Sequence, residues 1–147
     1  MTARPFVVTP ATRPRALNIV GEQLTVLASR QATGDGYEIF LQEGPEGSGP
    51  PPHRHTWDES FFVFEGQVDF GYDDERLTAT AGTLVHLPAG TLHWFRFGPG
   101  GARMLSLTGV GSNAAEFFTA VDAQLPGGEV DVEKLVATGE RHALHFG

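Results

Sequence analysis

The sequence predicts a mainly β fold: a small antiparallel β-barrel or jelly roll with one or two C-terminal helices. Three observations carry that expectation. Nineteen Gly and ten Pro in 147 residues suit many short strands joined by tight turns. Between residues 17 and 108, short runs of alternating apolar and polar residues recur at the spacing of barrel strands. Beyond residue 112 the apolar period becomes helical.

Taken in order, residues 1–15 are broken by Pro5, Pro10 and Pro14 and form an arm, since proline cannot donate within a central strand. Leu17 to Ala28 reads as a strand, with Leu24, Val26 and Ala28 on one face. Tyr37 to Gln42 reads as a second, with Tyr37, Ile39 and Leu41 inward. In the loop from Gly44 to Pro52, the stiff Pro50-Pro51-Pro52 run holds the chain extended toward His53 and His55. Glu59 to Glu65 is apolar on both sides (Phe61, Phe62, Val63, Phe64), as in a strand covered on two faces and turned by Gly66.

Val68, Phe70 and Tyr72 continue the alternation to a hairpin tip at Asp73-Asp74-Glu75. Leu77 to Ala81, Thr83 to Leu87 and His93 to Phe97 are further strands, the last ended by Gly98 to Gly101. Met104 to Thr108 is expected to be the final barrel strand. Asn113 and Glu116 form a capping-box pattern for a helix with Ala114, Phe117, Phe118, Val121 and Leu125 on its apolar stripe. Pro126-Gly127-Gly128 stops it, and Asp131 can cap a second helix that buries Val132, Leu135 and Val136. Together these helices, within residues 113–142, are expected to close one end of the barrel or cover a sheet.

Composition narrows the function. The length suits one domain, residues 1–147, with a real core. A net charge of −8 with only ten scattered basic residues argues against nucleic acid and anionic membranes as partners. There is no Cys, hence no disulfide framework and no thiolate chemistry. The N-terminus lacks an apolar core of signal-peptide length, so a cytoplasmic location is expected. The charge and the proline-broken arm point to a homodimer.

The chemistry gathers in two stretches. From His53 to Val63, extended backbone places His53, His55, Trp57, Glu59, Phe61 and Val63 on one side. Two imidazoles and a carboxylate facing one cavity are a donor set for a divalent transition metal. Pro88-Ala89-Gly90 then turns the chain and presents His93 as a further donor. By parity Phe95 and Phe97 join the same face. These aromatics (Trp57, Phe61, Phe95, Phe97) are ordinary core or the lining of a flat apolar substrate. His86 falls off the ligand frame, and His142 and His145 lie in the C-terminal segment, where solvated roles are expected.

Gly47, five residues, His53-x-His55, three residues, Glu59, six residues, Gly66 resembles the first cupin motif without a gap. Gly82, five residues, Pro88-x-Gly90, two residues, His93 resembles the second, within residues 47–97. Where that motif commonly ends in Asn, this chain has Phe97. The flanking segments are similar to single-domain quercetin dioxygenase-like cupins. The resemblance implies a barrel in which His53, His55, Glu59 and His93 hold one divalent ion per chain: Fe, Mn, Ni, Co, Cu or Zn. It also implies a dimer, and reaction of a bound enolate or phenolate with dioxygen.

From the residues alone, three neutral imidazoles and one carboxylate leave open positions on an ion, and Glu59 in an apolar barrel could take a substrate proton. The same set would serve a non-redox isomerase, cyclase or lyase, or a binding module without catalysis. In each case the partner is a small hydroxylated molecule.

Overall fold

The computed structural model describes residues 3–125, 127 and 129–147. Among the described residues there are nine strands and two helices: β1 (Leu17–Ile19), β2 (Glu22–Ala28), β3 (Glu38–Gly44), β4 (His53–His55), β5 (Glu59–Tyr72), β6 (Glu75–Thr80), β7 (Thr83–Leu87), β8 (His93–Thr108), α1 (Ala114–Gln124), α2 (Val132–Glu140) and β9 (Leu144–Phe146). The fold is mainly β, an antiparallel sheet curled into a half-barrel with its helices near the C-terminus.

Two long strands do the curling. The second half of β8, Ala102–Thr108, lies between β3 and the first half of β5. Its first half, His93–Phe97, pairs instead with Val68–Tyr72 at the far end of β5. The sequence places breaks at Gly66 and at Gly98–Gly101; the structure bends there without ending either strand. Gly66 (φ +78°) carries the bulge in β5, and a Cβ on it would overlap Gly101 O on the neighbouring strand. Glycine here converts two expected hairpins into two continuous, folded-over strands.

Several expected faces are corrected by packing. In β3 Phe40 is buried along with Glu38 and Gln42; of the expected face Leu41 is buried, while Tyr37 is exposed and Ile39 half-buried. The inward row thus contains two polar residues: Glu38 is fully partnered, and Gln42 donates to Glu22. Glu38 accepts from Ser112 Oγ (2.8 Å), from Ala115 N (3.0 Å) at the start of α1 and from Arg30 N (3.1 Å). In β5, Phe62 and Phe64 are exposed, so only one side of this strand is covered by the chain itself. Leu17 to Ala28 is two strands, split at Val20 and Gly21, both with positive φ.

Asn113 does occupy the N-cap of α1, but its side chain makes no cap bond. It accepts from Arg30 Nη1 (3.0 Å) and donates to His142 O (3.2 Å). Asp131 caps α2 as expected, accepting from Lys134 N. The buried stripe of α2 is Leu135, Thr138 and Gly139; Val132 is exposed. Of the proposed helix stop, Pro126 and Gly128 lie outside the described residues. The last strand is not Met104–Thr108 but β9, which returns after both helices to pair with β4.

The core has two parts. One holds Phe61, Val63, Val68, Phe70, Phe95, Phe97 and Met104 inside the sheet. The other joins Leu24, Phe40 and Trp57 to Phe117, Val121, Leu135 and Leu144 from the helical cap. Arg15 ties the arm to α1 through Asp122 (2.7 Å), whose other oxygen accepts from Asn18 N (2.8 Å). Residues 3–10 are exposed and form no strand or helix.

Candidate metal centre

Between the two core regions, β4 and the start of β8 bring three histidines together. β4 is three residues long; its alternation turns His53 and His55 inward and Arg54 outward. His53 lies directly opposite His93 in the β4–β8 register. Gly90, at positive φ, closes the turn before β8 and donates its N–H to His55 O (2.9 Å). Arg96 Nη1 donates to Pro50 O (2.7 Å) and fixes the proline run that aims β4.

One nitrogen from each of His53, His55 and His93 lies within 4.8 Å of the other two. All three rings are buried. Each commits its Nδ1–H to a backbone carbonyl two residues away: His53 to Pro51 O (2.9 Å), His55 to Trp57 O (2.9 Å) and His93 to Thr91 O (2.8 Å). A carbonyl can only accept, so these bonds fix the tautomer and leave every Nε2 for the centre. His93 Nε2 is buried without a hydrogen bond, its nearest anion being Glu59 Oε1 at 3.7 Å. Burial and the neighbouring His93 hold His53 neutral, its pKa lowered to about 3.

Glu59, inward on β5, sets its Oε1 3.0 Å from His55 Nε2 and 3.7 Å from His93 Nε2. Burial would raise its carboxyl, but the bonds and charge of His55 and His93 outweigh this and hold it at about 2. With Nδ1–H of His55 already donated, the gap between Nε2 and an anionic Oε1 must hold a cation. A proton on Nε2 satisfies it, and so does a divalent ion taking that proton's place. The donor set therefore fits the metal expected from the sequence: three imidazoles converge and one carboxylate neutralises.

A cavity opens beside these residues. It offers about 40 Å³ to the centre of a water, room for roughly three waters. Trp57, Phe61 and Phe95 line it, together with His53, His55 and Glu59. Val63 and Phe97 pack in the core inside the sheet. The remaining wall was silent in the sequence. Phe117, Phe118 and Leu135 come from the helices, Leu144 and Phe146 from β9, and Glu22 and Gln42 from β2 and β3. Helical spacing marked Phe117, Phe118 and Leu135 as packing residues only. Gln42 shares the parity of Phe40, the one signal that could have placed it inward. His86 bonds Ser60 Oγ at the surface (2.8 Å), His142 donates to Thr138 O (2.7 Å) and His145 pairs with Glu140 (3.1 Å), all away from the centre.

Residues 40–108 match the cupin domain family. Over 105 residues the chain is 33% identical to a quercetin 2,3-dioxygenase of Bacillus subtilis (strain 168), a match covering 70% of this chain and 31% of that protein. The chain thus spans less than a third of that relative's length. Among solved structures it resembles an RmlC-like cupin from Shewanella frigidimarina, with TM-score 0.65 and 16% identity over 75% of this chain and 95% of that one. It also resembles the polyketide cyclase RemF from Streptomyces resistomycificus, with TM-score 0.62 and 20% identity over 72% of this chain and 80% of that one. Both likenesses concern the fold.

Proposed function

Since the chain belongs to the cupin superfamily, we propose that it is a single-domain, metal-dependent enzyme of the quercetin dioxygenase-like kind, acting on a small hydroxylated aromatic or enol compound. The observation that carries this reading is the set of three histidines whose Nδ1 protons are all committed elsewhere, beside an anionic Glu59. His53, His55, His93 and Glu59 are the proposed ligands of one divalent ion of Fe, Mn, Ni, Co, Cu or Zn. When bound, such an ion would acidify a substrate hydroxyl and supply Lewis-acid or, for a redox-active metal, dioxygen chemistry.

The protein's own residues do the rest. Glu59 is the proposed base: its carboxylate borders both the histidine cluster and the cavity, where it would take the proton of a substrate hydroxyl while His53, His55 and His93 would hold the ion. Trp57, Phe61 and Phe95 hold a flat ring by contact and exclude water, which strengthens the pull of the centre on a forming oxyanion. Val63 and Phe97, from behind the wall, set the position of Phe61 and Phe95.

The second reading, a non-redox cyclase, isomerase or lyase, uses the same site, because three imidazoles would hold a redox-inactive ion equally well. Oxygen uptake decides between them. Protein purified without a nickel column is analysed for metal and screened with phenolic and enolic compounds. Substrate-dependent oxygen consumption is expected. Turnover without oxygen consumption would establish the second reading, and bound metal with no turnover of any compound would leave a binding module.

We place the protein in the cytoplasm, in keeping with a chain that has no Cys; no helix among the described residues is long and apolar enough to cross a membrane. A homodimer is the proposed assembly. Phe62, Leu84, Leu105 and Leu107 are neighbours on the outer face of β5, β7 and β8 and all remain exposed.

A further inference from the structure

Apart from the histidine–glutamate cluster and Trp57, the cavity wall carries two polar side chains among the described residues, Glu22 and Gln42. Both are buried, 3% and 4% exposed. Gln42 Nε2 donates to Glu22 Oε1 at 2.6 Å. This bond leaves Gln42 Oε1 buried without a partner. An orphaned carbonyl destabilises the folded protein unless something in the cavity donates to it. The ligand cluster does not use the pair, and the fold gains little from a carboxyl at this point of an otherwise apolar wall.

We propose that the Glu22–Gln42 pair is a second recognition point in the cavity, binding a neutral hydroxyl of the ligand: Gln42 Oε1 accepts the ligand O–H, and Glu22 donates its acid proton to the ligand oxygen. The inference rests on the reading above that the cavity takes a hydroxylated compound, and it adds where a hydroxyl away from the metal would be held. Burial raises the Glu22 carboxyl to about 8, against the pull of the Gln42 bond and with the charge of Glu59 adding to the rise. At neutral pH Glu22 is thus a donor. Because its Oε1 accepts from the amide, Oε2 carries the proton.

The pair selects by charge as well as by geometry. A carboxylate has no proton to give Gln42 and would bring a second negative charge near Glu59. An ammonium finds no counter-ion in a neutral Glu22. A hydroxyl gives one proton and accepts another, which satisfies both partners at once.

The test uses two probes of matched shape, resorcinol and 3-methylphenol, which differ by one hydroxyl replaced with methyl. Titration calorimetry on the metal-loaded protein should show resorcinol binding about tenfold more tightly or better. Gln42→Met keeps the length and removes the carbonyl, so the preference should fall to about twofold or less. His93→Ala, which should lose the ion, should keep the preference, because the pair lies outside the cluster. A preference that survives Gln42→Met but disappears in His93→Ala would assign hydroxyl recognition to the ion, leaving the metal reading intact and overturning this one. Equal binding of the two probes to the wild-type protein, or saturation by neither, also overturns it. The reverse result, a Gln42-dependent preference in protein that binds no metal, would sustain the pair and defeat the metal reading. Infrared spectroscopy covers the case of a misfolded Gln42→Met. The protonated carboxyl band that disappears in Glu22→Gln should shift with resorcinol and not with 3-methylphenol; an unmoved band counts against the proposal.

Discussion

Trp57 lies flat against the ring of His55, 4.5 Å away and 5° from parallel, while its own carbonyl accepts the His55 Nδ1–H at 2.9 Å. One residue thus fixes both the plane and the tautomer of a proposed ligand. The other two histidines have the carbonyl but no stacked indole.

Metal retention follows from this convergence. His53→Ala, His55→Ala and His93→Ala should each weaken ion binding by at least about a hundredfold while the barrel stays folded. His142→Ala, away from the centre, should change nothing. Elemental analysis of the four purified variants checks both statements; a full equivalent of metal in His55→Ala would remove the basis for the site.

Glu59→Gln separates the two roles given to this carboxylate. With three imidazoles left, metal should fall less than on losing a histidine. Turnover per bound ion should drop by about two to four orders of magnitude, since an amide cannot take the proton. Rate and metal content are measured on one sample. Normalised activity near wild type would limit Glu59 to a structural role.

The raised Glu22 carboxyl gives stability a pH dependence of known sign. Below the ordinary carboxylate value both folded and unfolded chains hold the proton, and the contribution is fully present. As pH rises, the unfolded chain releases it near 4.5 while the folded protein keeps it to about 8. Stability should therefore decline across that window, by up to about 1.4 kcal/mol per pH unit. Glu22→Gln has no proton to lose, so its urea-unfolding free energy should be flatter from pH 5 to 8. Parallel curves for the two proteins would show that Glu22 ionises normally.

Assembly is tested on the outer face. Leu84→Glu, with Leu84 63% exposed, places a charge on the apolar patch beside Phe62. Light scattering at micromolar concentration should give a dimer for the wild type and a monomer for the variant, with ion binding unchanged. A wild-type monomer would end the proposal.

The three-histidine cluster was legible because its spacing is a local property: His53 and His55 share a face of β4 through strand alternation, and Gly90 fixes the turn before His93. The mainly β class was legible for the same reason. What escaped depended on long-range packing. The inward turn of Glu38 against its apolar neighbours is explained by Ser112, Ala115 and Arg30, which meet it only in the fold. Gly66 marks a bend for a reader of one strand; that it is a bulge pressed against Gly101 requires the partner strand. The cavity wall from α1, α2 and β9 follows from where the helices dock, and their apolar stripes carry no sign of what they cover.

The pairing of β4 with β9 has a consequence for the order of assembly. His53 and His55 sit on a strand of three residues whose edge is completed by Leu144, His145 and Phe146, with only His53 meeting β8 on the other side. So short a strand has little persistence when one edge is open. Its partner arrives only after β8 has turned back and both helices have docked, a contact of very large sequence separation and hence slow to form. The long strands β5 and β8 can pair before that, so the barrel precedes its own binding site. A metal ion bound by these histidines would then meet a finished scaffold, and its capture would be coupled to the docking of the helical cap.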